Sequence, residues 1–158
     1  MNARKDSYII IGLHRAVTDL DRETSRICGE YDLTLGQFSV LEALYHKGSL
    51  TVGELKDAIL SSNGTIPVII NNLQKQNLVR RVQDPEDKRR SIVQLTDAGR
   101  DRIEKVYPVN EEMFREKFSV WNEEEQKELI RLLKKYRHAN TDKSLLAKES
   151  FCQKHLVR

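Results

Sequence analysis

Apolar positions in the first quarter of the chain recur at alternating steps of three and four. Ile10, Leu13, Val17, Leu20, Thr24 and Ile27 form a heptad-like seam that predicts one long helix. Around the seam lies a mixed-charge face of Arg15, Asp19, Asp21, Arg22, Glu23 and Arg26. The next helix is opened by Thr34-x-x-Gln37, in which each side chain can reach the other's backbone N–H, and Gly48 suits the left-handed residue that closes it. Phe38, Leu41, Leu44 and Tyr45 fall on one face of that helix. Thr51-x-x-Glu54 opens a shorter one carrying Leu55, Ala58 and Ile59. After a Ser/Asn/Gly turn, Ile66, Ile69, Ile70 and Leu73 can turn inward on a third short helix, leaving Thr65, Val68, Asn71, Asn72 and Lys75 outward. Pro67 fits only if that helix begins close to it, because the first helical amides have no intrahelical partners to lose.

The period then changes. Leu78 to Val82 and Ser91 to Leu95 are short β-like runs joined by a loop that opens with the turn pair Asp84-Pro85. Thr96 and Asp97 start another helix, and its apolar positions are Ile103, Val106, Met113, Phe114 and Phe118. Pro108 is expected to bend or break it. Asn122-x-x-Glu125 opens the last strong helix, with Leu129, Leu132, Leu133 and Tyr136 on one stripe. Beyond Asn140 the pattern thins, and 138–158 is expected to be an accessory, poorly ordered tail holding at most a short helix. The predicted class is mainly α with a small β-hairpin wing. It comprises a winged helix-turn-helix and a helical dimerisation region built from the N- and C-terminal helices.

Charge sharpens this picture locally more than globally. The net charge of the 158 residues is only +3, but Lys75 to Arg90 holds six Lys/Arg against three Asp/Glu. Lys88, Arg89 and Arg90 sit at the tip of the hairpin, where cations can neutralise phosphates or enter a narrow minor groove. An apolar fraction of 39% with 32% charged residues describes a globular chain, not a disordered one. No apolar run reaches the roughly 18 residues of a membrane span, and Tyr8 to Leu13 is too short and badly flanked for a signal peptide. Cys28 and Cys152 have neither disulfide-scaffold nor zinc spacing, which suggests a reducing, cytoplasmic compartment. The four histidines, His14, His46, His138 and His155, are dispersed, so no metal site and no cofactor are expected. No phosphate loop, nucleophile elbow or paired-carboxylate arrangement stands out, and the chain does not read as an enzyme.

Several motifs in order resemble the MarR family of winged helix-turn-helix transcriptional regulators. They are Leu33-Thr34-x-x-Gln37-Phe38-x-x-Leu41, then Asn63-Gly64-Thr65-Ile66 through Leu73, then Leu78-Val79, then Asp87-x-Arg89, and finally Val93-x-Leu95-Thr96-x-x-Gly99. The resemblance covers roughly Tyr8 to Arg137. It implies a homodimer whose first and last helices form the dimerisation region (1–30 and 100–137), and a DNA-binding region over 31–99. It also implies a palindromic operator in double-stranded DNA, usually held as a repressor and released by a small-molecule effector, here unidentified. By motif position Asp87 orients Arg89, which enters the minor groove from the wing tip. The expected DNA-contacting residues are Ser62, Asn63, Thr65, Pro67, Val68, Asn71, Lys75, Lys88, Arg89 and Arg90. Two departures bear on the operator sequence: Pro67-Val68 replaces the Arg common early in the recognition helix, and Asn71-Asn72 replaces a common Asp-Arg pair.

Two further readings concern regulation. His14, Phe38 and Tyr45 are candidates for lining an effector pocket in the cleft between the dimer helices and the winged region. Cys28 is the candidate thiol for an alternative, redox-switched regulator, although a free cysteine without an activating neighbour is more often a small buried hydrophobe.

Overall fold

The computed structural model describes residues 3–59 and 66–155, with side chains described over 4–59 and 66–140. Six helices and three strands follow the order α1 (Ala3–Gly29), α2 (Leu35–Lys47), β1 (Leu50–Thr51), α3 (Val52–Ala58), α4 (Ile66–Lys75), β2 (Val79–Gln83), β3 (Ser91–Leu95), α5 (Asp97–Phe118) and α6 (Glu123–His155). The chain forms two compact units, Met1–Phe114 and Arg115–Arg158, the second beginning in the last turn of α5.

In the first unit the core gathers Leu41 and Leu44 of α2, Leu55 of α3, Ile70 and Leu73 of α4, Val93 of β3 and Ile103 and Val106 of α5. The predicted inward and outward faces of α4 are observed: Ile66, Ile70 and Leu73 are buried, while Val68, Asn71, Asn72 and Lys75 are exposed. Pro67 is the second residue of α4 and so removes an amide that has no intrahelical partner.

The sheet has one strand more than the hairpin read from the sequence. β2 and β3 pair antiparallel with Val79 opposite Leu95 and Gln83 opposite Ser91. The two-residue β1 joins the other edge of β3, Leu50 opposite Val93, giving the order β1-β3-β2. Two residues are too few to show a period. Leu78 lies outside β2 because it serves the preceding helix end.

That end is a Schellman motif. Leu78 N donates to Leu73 O (2.9 Å) and Asn77 N to Gln74 O (2.9 Å), with Asn77 left-handed at φ 56°. Leu73 and Leu78, the two residues that should touch in this motif, are both buried. The end of α1 repeats the arrangement: Leu33 N donates to Cys28 O (3.0 Å), Asp32 N to Gly29 O (3.3 Å), and Asp32 has φ 56°. Helix starts follow the capping chemistry expected of them. Reciprocal bonds are present at Thr34/Gln37, Thr51/Glu54 and Asn122/Glu125. Gly48 closes α2 with φ 80° and ψ −153°, outside the left-handed helical basin and in a region open to glycine alone.

The break that Pro108 could impose does not occur. α5 runs through Pro108, which faces solvent opposite the buried Ile103, Val106 and Met113. Packing of the inner face holds the helix, and the amide that Pro108 lacks would have met the carbonyl of the exposed Glu104 on the wet side. α6 continues past Asn140 to His155, so the segment beyond Asn140 extends the last helix instead of forming a separate short one. The segment contains neither Gly nor Pro, and the Asn140 amide donates to Tyr136 O at 2.8 Å.

Candidate DNA-binding face and ligand cavity

β2 and β3 project a loop, residues 84–90, whose backbone is tied by its own acids. Asp84 Oδ1 accepts from Glu86 N (2.9 Å), an Asx turn around Pro85. Asp87 O accepts from Arg90 N (2.9 Å), and Asp84 N donates to Arg90 O (3.1 Å), closing the loop on the strand ends. Gln83 Nε2 holds the Lys88 carbonyl at 3.1 Å.

Asp87 is the centre of this loop. Its Oδ1 accepts from both Arg89 N (3.0 Å) and Arg89 Nε (3.3 Å), and Oδ2 lies 3.6 Å from Arg90 Nε. These bonds, the Arg89 backbone N–H first, lower the Asp87 carboxyl below its ordinary range. The Arg89 side chain itself is 92% exposed. One carboxylate thus steers a guanidinium outward without burying it.

α4 presents Pro67, Val68, Asn71 and Lys75 on its exposed side. Arg81, on β2, donates from Nη2 to Asn71 Oδ1 at 3.0 Å, linking strand and helix through side chains. Arg80 is engaged along the sheet, with Nε 3.2 Å from Gln94 Oε1. Ser62, Asn63 and Thr65 lie outside the described residues.

A corner behind this face fixes the wing to the core. Thr96 N donates to Leu78 O (3.1 Å), and Thr96 Oγ1 donates to Asn77 O (2.6 Å) while accepting from Gly99 N (3.0 Å). A Cβ at Gly99 would stand 1.9 Å from the Leu78 carbonyl oxygen. The Leu-Thr-x-x-Gly run is therefore a docking device: it lets the first turn of α5 lie directly against the end of α4.

A cavity of about 350 Å³ opens among α1, α2 and α5 within the first unit. Leu20, Phe38 and Phe114 form apolar wall. The polar lining comes from Asp21, Thr24, Ser39, Glu42 and Asn110. Asn110 is 1% exposed, and its Oδ1 has no hydrogen-bond partner among the described residues. Glu42 has its pKa raised, chiefly by burial, with His46 opposing and Glu111 adding to the shift.

Of the three residues proposed from sequence for a pocket, the structure brings only Phe38 to this cavity. His14 is exposed on α1. Tyr45 belongs to a separate ring cluster with His46 (5.2 Å) and Tyr107 (6.1 Å), beneath the Arg100 guanidinium at 5.8 Å. Asn110 was missed. Its signal was present as a polar residue at the 103-106-110-113 spacing of the buried face of α5.

Cys28 is fully buried, and it occupies the position in the α1 Schellman motif that packs against Leu33. Burial pushes its thiol up to about 11, away from the thiolate that redox chemistry needs.

A helix-turn-helix followed by a cation-tipped hairpin on a helical frame defines a winged-helix DNA-binding protein. The sequence model of the MarR family matches residues 33–91. The chain is 32% identical to the transcriptional regulator YkoM of Bacillus subtilis, over 77% of this chain and 79% of that one. It is 29% identical to the regulator MhqR of the same organism, over 83% and 90%. Among solved structures, BpsR of Bordetella bronchiseptica, whose DNA binding is regulated by 6-hydroxynicotinic acid, superposes with a TM-score of 0.70 at 28% identity, over 79% of this chain and 89% of that one. This chain belongs to the MarR family of DNA-binding transcriptional regulators. Among the described residues no helix is long and apolar enough to cross a membrane.

Proposed function

We propose that this protein is a cytoplasmic, homodimeric repressor that holds a palindromic operator and releases it when a small molecule enters the cavity among α1, α2 and α5. The observation that carries the DNA reading is the wing tip, where Asp87 holds Arg89 outward beside Lys88 and Arg90. α4 enters the major groove and the wing follows the flanking minor groove. The sequence offers no Arg or Lys from Thr65 up to Lys75, so the usual bidentate pair to guanine is absent from the helix. Pro67 and Val68 meet thymine methyls instead, and the operator is A/T-rich in both half-sites. The half-site centres stand about 10 bp apart, one helical turn.

Dimer formation is supported by apolar surface left uncovered in one chain. Tyr8, Ile9, Ile10, Leu13 and Val17 are exposed along the first half of α1, whereas Thr24 and Ile27 of the same seam are buried. Ile130, Leu132, Leu133 and Tyr136 are exposed on α6. A monomer rarely leaves large apolar faces of this kind uncovered on its helices. Effector release is supported by the response of BpsR to a small molecule and by the buried, unsatisfied Asn110.

Selection from random duplexes tests the operator. Enriched A/T-rich inverted repeats are expected, and enrichment of G·C-dominated or asymmetric sites would overturn the readout. Sedimentation tests the dimer, and a stable folded monomer at micromolar concentration would refute it.

A further inference from the structure

Between α4 and the wing tip, the inner face of β2 carries two polar side chains, Arg81 and Gln83. Alternation along the strand puts both on the side of the buried Val79, and β2 is an edge strand, so both remain exposed. Gln83 is spent within the wing, where Nε2 donates to Lys88 O at 3.1 Å. Arg80, on the opposite face, is spent across the sheet on Gln94 Oε1. Arg81 keeps most of its capacity. A guanidinium has five N–H donors, and among the described residues only Nη2 is engaged, on Asn71 Oδ1 at 3.0 Å. No carboxylate pairs with Arg81 among the described residues, whereas Arg89 and Arg90 share Asp87. A guanidinium held by a neutral amide keeps its whole charge for another anion. The same bond settles the amide. Arginine can only donate, so the atom it meets on Asn71 is the oxygen, and Nδ2 lies on the other side of the amide.

We propose that Arg81 is a phosphate-binding residue, gripping the stretch of sugar-phosphate backbone that divides the groove entered by α4 from the groove entered by the wing. The inference rests on the DNA reading above and adds a contact to it. When a helix lies in the major groove and the hairpin beside it in the flanking minor groove, the strand that separates the two grooves has to pass between them. On this chain the surface between them is the inner face of β2, and the cation on that face is Arg81. Its place joins two kinds of contact. The donors left over meet phosphate oxygens while Nη2 stays on Asn71, so one group supplies both the backbone grip and the orientation of a major-groove side chain. Asn71 is left with Nδ2 donating outward and a lone pair of Oδ1 still free, the pattern that matches adenine N7 and N6.

Anisotropy titrations of the full chain against a duplex enriched from the random pool, run over a salt series, test this. Arg81→Ala should lower the slope of log K against log salt by about 0.9 per chain, as loss of one phosphate contact does. Arg81→Gln should lower it equally, although glutamine can still donate to Asn71, and Arg81→Lys should restore the parent slope. Asn71→Ala should weaken binding at an unchanged slope, because an uncharged base contact releases no counter-ion. All four variants should melt with the parent, since both side chains are exposed. A scan of single neutral methylphosphonates along the duplex should then find one phosphate per half-site whose neutralisation weakens the parent about fivefold and leaves Arg81→Ala unaffected. Parent-like slopes for Arg81→Ala or Arg81→Gln would overturn the proposal and reduce Arg81 to a positioner of Asn71. So would a scan in which every phosphate affects the parent and Arg81→Ala alike. If the parent itself binds duplexes with no salt dependence, the DNA reading fails and takes this contact with it.

Discussion

Arg81 Nη2 donates to Asn71 Oδ1 at 3.0 Å, so a strand of the wing orients a side chain on the exposed face of α4. An asparagine that pairs with adenine accepts through Oδ1 and donates through Nδ2. Arg81 occupies one lone pair of that oxygen and fixes which way the amide faces. The single variants Arg81→Ala and Asn71→Ala should both weaken operator binding, and the double variant should fall short of their sum by about 0.5 kcal/mol or more. A double-mutant cycle by fluorescence anisotropy checks this, and full additivity would show that the two residues act separately. Because both groups are exposed, the stability of the free protein should hardly change.

The wing cations should separate by role. Arg89→Ala should weaken operator binding sharply, because the Asp87 hydrogen bonds hold its backbone and guanidinium in a fixed pose. Lys88→Ala should mainly reduce the salt slope, by about one unit, as loss of a single phosphate contact does. Mobility shifts over a salt series distinguish the two. Parent-like binding by Arg89→Ala would remove the wing from the interface.

Gly99→Ala should destabilise the fold by more than about 3 kcal/mol, since its methyl would lie within the Leu78 carbonyl and backbone cannot give way as a side-chain tip can. Asn77→Gly should instead stabilise by up to about 1 kcal/mol, because glycine adopts the left-handed conformation at that site without a Cβ penalty. Urea unfolding of the two variants measures both effects, and a neutral Gly99→Ala would mean that α5 can shift away from the corner.

Most of this corner was legible in the sequence, and the cavity was not. Caps depend on residues three apart, so Thr34/Gln37, Thr51/Glu54 and Thr96 announce themselves locally. The faces of α4 follow from one period over ten residues. β1 escaped because a two-residue strand is defined by its partner β3, which lies forty residues away. The pass through Pro108 depends on which side of α5 meets water, and that is settled by packing against other elements. Likewise, Phe38 is as good a core residue as a pocket residue until α1 and α5 are placed beside it. Asn110 alone carried a readable signal, as a polar residue interrupting an apolar stripe.

Cys28 should titrate as a packing residue. Its thiol moves from an ordinary 9.0 to about 11 on burial, so the native state keeps a proton that the unfolded chain releases. The associated stability is complete below pH 9.0 and is lost as pH rises toward about 11. The advantage of the parent over Cys28→Ala should therefore shrink across that window, by roughly 2 kcal/mol at most. Chemical denaturation at several alkaline pH values checks it. A pH-independent difference would place the thiol in contact with solvent. Mild peroxide should leave operator binding unchanged, and release that Cys28→Ser abolishes would favour the redox regulator.

The close seat of Gly99 against Leu78 also has a mechanical meaning. Eleven residues separate it from Asn110, about 16 Å along one helix. One end of that rod is pinned to the exit of α4 by contacts too tight to slide, and farther along it forms a wall of the cavity. A tilt of α5 is therefore expected to carry Leu78 with it rather than to be taken up as slippage at the corner. Thr96 and Asn77, bonded to each other across the same corner, would then move as part of a lever whose short arm ends at α4.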